Sequence, residues 1–389
     1  MQDDKTLNTL RILVKVVNLV NGTPYEWDEK EKCLRVSSRL RKRICVSLTK
    51  LNIVLYVGFL VVRLAGEVGR QGRAYFVVVI WLLIWIYLYV WGWLSFQNAQ
   101  VSCTNVTAVF KGVKKLCMEM SAKYNLESTW KPIFHRYNAL QLQIMAILWI
   151  LISLPPTVSI MYLIVPLKPQ YISSHFKRDL ENPSVFAAFA LLEIYSKTSV
   201  ALVDGMEGFH VLVTVYVAIC CTDAVRICKS STRRKIHDYR TLSVLLAAFN
   251  SSITKEMLAF ICFWGPGRFI FISAFATIRF HGQVSLFEYA PFPIVLWNLM
   301  MALLLAVLTT ASVGEASEKL FNSIKSEKSG VTRGKLTVRE IKSLRKFGVE
   351  VSSAKVIERI VILKILYFVL DTLTTGLVTF PKEAIFPPS

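Results

Sequence analysis

Apolar residues in this chain cluster into long runs, and seven of these runs are long enough to cross a bilayer. A hydrocarbon core about 30 Å thick requires about 20 predominantly apolar residues in a helix. The run Ala74–Phe96 is the clearest, because it has no charged residue and contains four tryptophans. The pattern predicts an all-α integral membrane protein with seven transmembrane helices. The seven windows are 46–65, 74–96, 138–165, 196–221, 256–279, 291–313 and 356–380.

The fourth window is the least regular of the seven. It contains Asp204 and Glu207, and a separate apolar patch, Val185–Ile194, lies just before it. The sequence leaves open whether a longer, tilted helix begins at that patch.

The distribution of charge predicts the orientation of the chain. Hydrophobic residues make up 54% of the sequence and the formal net charge is +20, with 46 Lys and Arg residues. Of these, 33 fall in the N-terminal segment and in alternate loops, at 1–45, 97–137, 222–255 and 314–355. By the positive-inside rule, these segments are cytoplasmic. We therefore expect a multi-pass plasma membrane protein with a cytoplasmic N-terminus and an extracellular C-terminus, contacting membrane lipids but not nucleic acid.

Motifs of catalysis are absent from the sequence. It has no Gly-x-Ser-x-Gly elbow, no His-Glu-x-x-His pair and no phosphate-binding glycine loop. The five histidines are scattered along the chain, and none of the eight cysteines lies in a predicted outer loop. The expectation is therefore no enzyme activity, no cofactor, no metal site and no external disulfide.

The last cytoplasmic segment contains a predicted helix. Thr337 and Glu340 have the spacing of a capping box, and Ile341, Leu344 and Phe347 follow on one face. A helix over Thr337–Phe347 with such a face needs a partner surface. A second short helix is predicted at Arg240–Asn250, which has too few residues to span a bilayer.

The C-terminal region resembles the arthropod gustatory and odorant receptor superfamily. A Phe-Gly turn at Gly348 precedes the last span, and Tyr367 follows 19 residues later. The family has a similar turn and then a Thr-Tyr-five apolar-Gln-Phe signature at this spacing. This chain departs from that signature at Leu366, Leu373 and Thr374. The length, seven spans and predicted orientation are also similar to the family's.

The resemblance implies a ligand-gated, non-selective cation channel that responds to small organic molecules. In the family the final helix lines the pore of a tetramer, homomeric or formed with related subunits. By position, the pore and gate residues would be Tyr367, Leu370, Asp371, Leu373 and Thr374. The subunit anchor would include Ile341, Leu344 and Phe347.

The residues alone leave open which surroundings Leu370, Leu373 and Asp371 have in the last span. The leucines could face lipid or neighbouring helices, since apolar residues are the norm in spans. Asp371 is either an acid that attracts cations beside a pore or a hydrogen-bonded structural acid.

A ligand pocket is expected among the outer halves of the spans, where the family binds small molecules. Aromatic walls with a few polar groups suit small organic ligands. The candidates by depth are Tyr75, Trp81, Tyr162, Phe209, His210, Trp297 and Asn298.

Four segments summarise the predicted organisation. They are a cytoplasmic N-terminal segment (1–45), six helices with the ligand pocket (46–313), a cytoplasmic loop with the assembly helix (314–355), and the pore helix with an extracellular tail (356–389).

Two other classes of membrane protein compete with this interpretation. A secondary transporter could use the charges within the spans, although no half-to-half repeat is visible in the sequence. A G-protein-coupled receptor has seven helices but an external N-terminus, and neither Asp-Arg-Tyr nor Asn-Pro-x-x-Tyr occurs in the expected spans.

Overall fold

A computed structural model describes residues 4–20, 22–67, 73–124, 139–253, 257, 265–327, 335–351 and 356–385. Within these residues the chain is almost entirely helical, with one two-stranded hairpin near the N-terminus. The elements are α1 (Asp4–Val17), β1 (Tyr25–Asp28), β2 (Cys33–Val36), α2 (Leu40–Glu67), α3 (Arg73–Val101), α4 (Cys103–Tyr124), α5 (Ala139–Ile164), α6 (Pro183–Ile227), α7 (Thr232–Ser252), α8 (Gly265–Phe280), α9 (Leu286–Tyr289), α10 (Pro291–Ser326), α11 (Lys335–Ser343), α12 (Ile360–Thr379) and α13 (Lys382–Ile385).

Each of the seven predicted spans coincides with a helix of the structure. In the part of the chain that the structure describes, five helical segments are long and apolar enough to cross a bilayer: α2, α3, α6, the continuous α9–α10 segment, and α12. The window 138–165 is occupied by α5, and the window 256–279 by α8 from residue 265 onward, since most of its earlier part lies outside the described residues. Helices satisfy the hydrogen bonds of their own backbone, which is why they are stable where water is excluded. The all-α membrane fold is confirmed.

The fourth span is one continuous helix of 45 residues, α6. It begins where Pro183 occupies the first turn and the side chain of Asn182 accepts a hydrogen bond from the backbone N–H of Ser184. At 1.5 Å per residue the helix is about 67 Å long, twice the thickness of a hydrocarbon core. The longer of the two alternatives therefore holds, with Val185–Ile194 inside the helix.

The helix α6 forms the centre of the molecule. Its most apolar stretch is 67% buried, and it packs against α1, α3, α4, α5, α7 and α10. The helix α12 is at the other extreme, since only 17% of its most apolar stretch is buried, against α8 and α10. Of the five segments α12 is thus the least covered by the rest of its own chain, followed by the α9–α10 segment at 22% and α2 at 28%.

An additional layer of structure lies at the end of the spans where both the N-terminus and α4 are found. The helix α7 confirms the predicted helix at Arg240–Asn250 and extends it at both ends. Asp238 of α7 accepts hydrogen bonds from Lys123 Nζ, at 3.2 Å, and from the hydroxyl of Tyr124. Burial, together with this hydrogen bond and the charge of Asp238, raises the pKa of Tyr124 to about 12. These contacts fix α4 against α7.

Three elements of this layer are not predicted from the sequence: α1, the hairpin and α4. The side chain of Asp28 shapes the hairpin turn by accepting from the backbone N–H groups of Lys30 and Glu31, at 2.9 and 3.0 Å. Lys32 completes the turn with a φ of 45°. The pairing places Tyr25 opposite Val36, and β2 packs on α4.

The boundaries of the predicted assembly helix are wrong at both ends. The helix α11 covers Lys335–Ser343, so Thr337 lies inside it and is not its cap. Residues 344–349 are not helical, and Phe347 therefore follows the helix. A Thr-x-x-Glu pattern also occurs within helices, which explains why it misplaces the start.

Candidate functional site

The uncovered face of α12 is the most distinctive surface of the chain. The side chain of Tyr367 is 73% exposed and that of Leu370 is 62% exposed, and Thr374 is exposed beside them. In an ideal helix these three positions fall within about 60° of one another. Leu363 and Val378 extend the exposed stripe in both directions. The face is continuous over most of the span.

Two charged residues lie on the same exposed side of this span. Asp371 is about 40° and Lys364 about 60° from Tyr367 around an ideal helix, and both are exposed in the single chain. Asp371 therefore lies close to the middle of the exposed face. Its angular offset from Leu370, taken alone, would place it farther from the middle. A charge at this depth facing lipid costs about 2.5–3.5 kcal/mol on insertion scales.

The opposite face of α12 packs closely on α8. A Cβ at Gly376 would lie 3.2 Å from the ring of Phe271, so the glycine permits the two helices to approach. Leu373 belongs to this side, because it is half-buried and packs against the core. Leu370 and Leu373 therefore lie in different environments within the chain, the first exposed and the second in contact with the helix bundle.

An aromatic cluster connects Trp81 to the end of α12. The ring of Trp81 on α3 lies 4.9 Å from that of Phe292 on α10, which lies 5.3 Å from Phe280 on α8. Phe280 in turn contacts Phe76 on α3, at 6.3 Å, and Phe76 lies 5.8 Å from Phe380, just after α12. These contacts join four spans at one end of the bundle. Sequence inspection selects Trp81 but not its partners, since single phenylalanines in apolar runs are not distinctive.

The remaining candidates for ligand binding do not converge on this cluster. Tyr162 packs against Tyr171, with ring centroids 5.1 Å apart. His210 Nε2 lies 3.1 Å from the hydroxyl of Ser252 at the end of α7. Phe209 is buried, Trp297 and Asn298 are exposed on α10, and the side chain of Tyr75 lies outside the described residues.

The apolar residues proposed for assembly are buried within their own chain. Ile341, Leu344 and Phe347 are each less than a tenth exposed. The ring of Phe347 lies 4.9 Å from that of Tyr239 on α7, whose hydroxyl donates to the carbonyl of Arg345 at 2.9 Å. The segment after α11 is thereby held against α7, so any effect of these residues on assembly acts through the position of this segment.

A buried ion pair that the sequence analysis does not identify lies in α6. Lys197 Nζ donates to a carboxylate oxygen of Glu193, and the two side chains are 1% and 0% exposed. The same ammonium lies 4.7–4.8 Å from the ring centres of Tyr56, Trp85 and Tyr171. The i,i+4 spacing of two opposite charges in an apolar helix is the signal that could have revealed it.

The carboxylate of Glu193 also fixes the segment between α5 and α6. It accepts from the backbone N–H of Ile172 at 3.0 Å and from the hydroxyl of Tyr56. That hydroxyl lies 3.0 Å from the carbonyl of Gln170. Paired charges with this many hydrogen bonds are tolerated in a membrane interior.

A second buried acid, Glu207, binds the N-terminal hairpin. It accepts from Asn98 Nδ2 at 2.7 Å and from the hydroxyl of Tyr25 at 3.3 Å. Within the described residues, no group of three or more His, Cys, Asp or Glu side chains could hold a metal ion.

The features described so far define a polytopic helical membrane protein in which α12 is the least buried of the five candidate spans within the described residues. No family model and no curated protein matches the sequence. Solved structures do match: that of the insect olfactory receptor OR5 from Machilis hrabei superposes with a TM-score of 0.62 at 10% identity, covering 96% of this chain and 97% of that one. The structure of that receptor in complex with eugenol gives a TM-score of 0.64 at 9% identity, over 95% and 97% of the two chains.

The chain therefore has the fold of the insect olfactory receptors over nearly its whole length. The resemblance noted from the sequence is confirmed at the level of fold.

Proposed function

We propose that the protein is a chemosensory receptor of the arthropod gustatory and odorant receptor superfamily that acts as a ligand-gated, non-selective cation channel. The observation that supports this proposal is the uncovered face of α12, with Asp371 and Lys364 on it. A carboxylate facing lipid at the depth of Asp371 is costly, so the face requires water or other subunits beside it. A homomeric or heteromeric tetramer with α12 around the axis provides both.

The proposed gate is formed by the exposed stripe of α12. Leu370 and Tyr367 would narrow the closed pore, because a ring of apolar side chains cannot replace the hydration shell of an ion. Asp371 would attract cations near the lumen. Leu373 would affect gating from the α8 side, through the packing of the pore helix.

The proposed ligands are small organic molecules, and the cluster around Trp81 is the favoured site among the seven candidates. The related receptor structure contains eugenol, and aromatic side chains suit such ligands. The contact from Phe76 to Phe380 gives the cluster a physical connection to α12. Ligand binding between α3 and α10 could therefore change the position of the pore helix.

The charge distribution supports a plasma membrane protein with its N-terminus inside. The basic segments 1–45, 97–137, 222–255 and 314–355 would then all face the cytoplasm. Glycosylation mapping tests this orientation.

Voltage-clamp recording from cells that express the protein tests the channel proposal. Leu370→Ser should raise the ligand-independent cation current, since a polar side chain lets the closed constriction wet. Leu55→Ser on α2 is the matched control, because Leu55 is also 62% exposed but belongs to another span. Equal surface expression with no change in basal or evoked current for Leu370→Ser would contradict the pore assignment.

A secondary transporter is the second candidate, and the buried charges of α6 are the observation that favours it. Glu193, Lys197 and Glu207 lie inside the bundle, as charged groups do in many carriers. All three are held by hydrogen bonds to neighbouring elements, which suits a structural role. Substrate-coupled currents far smaller than those of a channel would favour the transporter. A cellular response that requires G proteins, without a current through the protein itself, would favour a G-protein-coupled receptor.

A further inference from the structure

A cavity of about 310 Å³ lies where the first span meets the N-terminal hairpin. Its walls come from the start of α2, the end of α3 and the hairpin strand β2. The lining is mixed, with two basic side chains, two hydroxyls and one amide among apolar groups. The residues are Pro24, Val36, Ser37, Lys42, Arg43, Val46, Ser47, Gln100 and Cys103.

The cavity adjoins a dense basic cluster. Arg39, Arg41, Lys42 and Arg43 occupy four of five consecutive positions, with no acid among them. Runs of four or more basic residues beside a transmembrane helix are typical of binding to anionic lipids. Arg43 is exposed and makes no ion pair within the described residues, so its guanidinium is available to a ligand.

Lys42 contributes a buried basic side chain to the wall, within electrostatic range of the acid Glu26. Its side chain is only 6% exposed. Its Nζ donates to Asn18 Oδ1 at 2.8 Å and to the carbonyl of Tyr25. Both acceptors are uncharged, so the positive charge of the ammonium is not neutralised by these contacts.

The effect of the cluster is visible at Glu26, the nearest acid. Burial raises the pKa of Glu26, but the hydrogen bond from Ser37 and three nearby basic side chains outweigh it, so the pKa is lowered. Ser37 Oγ lies 2.6 Å from Glu26 Oε1. The hydroxyl of Ser47 and the amide of Gln100 also line the cavity.

An apolar stripe runs along α2 beside the cavity. Its residues share one face of the helix, adjacent to Arg43 and Ser47, which lie about 20–60° from its edge in an ideal helix. All are largely exposed: Leu40, Ile44, Leu48, Leu51 and Leu55. A polar, basic cavity at the base of an exposed apolar stripe matches a molecule with an anionic headgroup and long hydrocarbon chains.

We propose that this cavity binds the phosphate headgroup of an anionic phospholipid, whose acyl chains lie along the exposed stripe of α2. Arg43 provides the principal contact, as its planar guanidinium can donate two hydrogen bonds to a phosphate. Lys42 contributes charge, while Ser47 and Gln100 donate further hydrogen bonds. The lipid belongs to the cytoplasmic leaflet, which rests on the proposed orientation.

Binding of a short-chain fluorescent phosphatidylserine to the purified full-length protein in neutral micelles tests the proposal. Arg43→Gln should weaken binding about fivefold or more, the typical contribution of one basic residue near anionic lipid. Arg41→Gln is the matched control, because it removes the same charge from the same helix but does not line the cavity. It should weaken binding clearly less than Arg43→Gln does, because it removes the attraction of one charge of the cluster but no hydrogen bond in the cavity. Gln100→Ala provides a second variant that leaves the charge unchanged and should also weaken binding.

Three results would each overturn the proposal. Equal weakening by Arg41→Gln and Arg43→Gln would indicate general attraction to a basic surface. Equal competition by phosphatidylcholine of the same chain length would remove the role of headgroup charge. Displacement by millimolar inorganic phosphate or glycerophosphoserine would show that the ligand is a free anion. The assay measures no current and uses no fixed sidedness, so its failure and that of the channel proposal are distinguishable.

Discussion

The buried pair of Lys197 and Glu193 allows a quantitative prediction about the stability of the helix bundle. Removal of one partner from a buried ion pair typically destabilises a protein by about 3–5 kcal/mol, because the other charge remains without compensation. In Lys197→Met the carboxylate retains two donors, the N–H of Ile172 and the hydroxyl of Tyr56. In Glu193→Gln the ammonium retains the rings around it. We therefore expect each single variant near the lower limit, about 3 kcal/mol.

The double variant distinguishes a coupled pair from two independent side chains. With Lys197→Met and Glu193→Gln together, no uncompensated charge remains, and the loss should be well below the sum of the single losses. A coupling energy of at least about 2 kcal/mol is expected for groups in direct contact. The measurement is the thermal stability of the purified protein in detergent, followed by size-exclusion chromatography after heating.

An exposed pair with the same spacing serves as the control. Lys115 and Glu119 are 3.9 Å apart and lie on the surface of α4. Their substitution should change stability by less than about 0.5 kcal/mol. If the double variant of the buried pair lost as much stability as the two single variants combined, the two charges would not form a coupled unit.

Three further predictions concern the layer around α4 and α7. A Cβ at Gly348 would lie 2.4 Å from Val356 Cγ1, so Gly348→Ala should destabilise the protein by about 1–3 kcal/mol. Adding Val356→Ala to the same chain should recover most of this lost stability. If stability were not recovered, the contact between the two positions would be contradicted. Asn105 lies in a glycosylation sequon on α4, within the segment 97–137 that is predicted to be cytoplasmic, so no glycosidase-sensitive mass shift should map to it, and a shift there would reverse the orientation. Because the pKa of Tyr124 is raised to about 12 in the folded protein, the folded state binds the proton of this hydroxyl more tightly than the unfolded state does. Its stabilising contribution is complete below about pH 10 and is lost as the pH rises through about 12. Tyr124→Phe should therefore show a shallower alkaline loss of stability, and an unchanged slope would show that Asp238 and burial do not act on this hydroxyl.

The sequence predicts the spans well because their signal is local. Ala74–Phe96 has no charge, so only a membrane or a deep core could contain it, and α3 covers this window. The length of α6 is undetermined in the sequence because Asp204 and Glu207 interrupt the apolar pattern. In the structure Glu207 has hydrogen-bond partners from α3 and from the hairpin, and this compensation by distant residues cannot be seen in a local window.

The elements that the sequence does not predict depend on contacts between distant parts of the chain. The strands β1 and β2 have four residues each, and their position is determined by packing on α4. Lys197 is overlooked because a single lysine in an apolar run is usually considered in isolation, while its cage combines rings from α2, α3 and the segment before α6. Of the pore candidates, Leu370 is exposed in the single chain, whereas Leu373 packs against the helix bundle, because the helix phase depends on which side the bundle covers.

The contacts of α1 have a consequence for the order in which the protein is made. Leu10, Leu13 and Val14 are buried in the finished structure, where α1 packs against α5 and α6. The hydroxyl of Tyr25 and the carboxylate of Glu207 are separated by 182 residues along the chain. At about 5–20 residues synthesised per second, the N-terminal segment waits about 10–40 s for these partners. During that time its apolar side chains have only the membrane surface or a chaperone to cover them. A ribosome that stalls before α6 therefore leaves an amphipathic helix without its docking site, which the quality-control machinery of the cell can recognise.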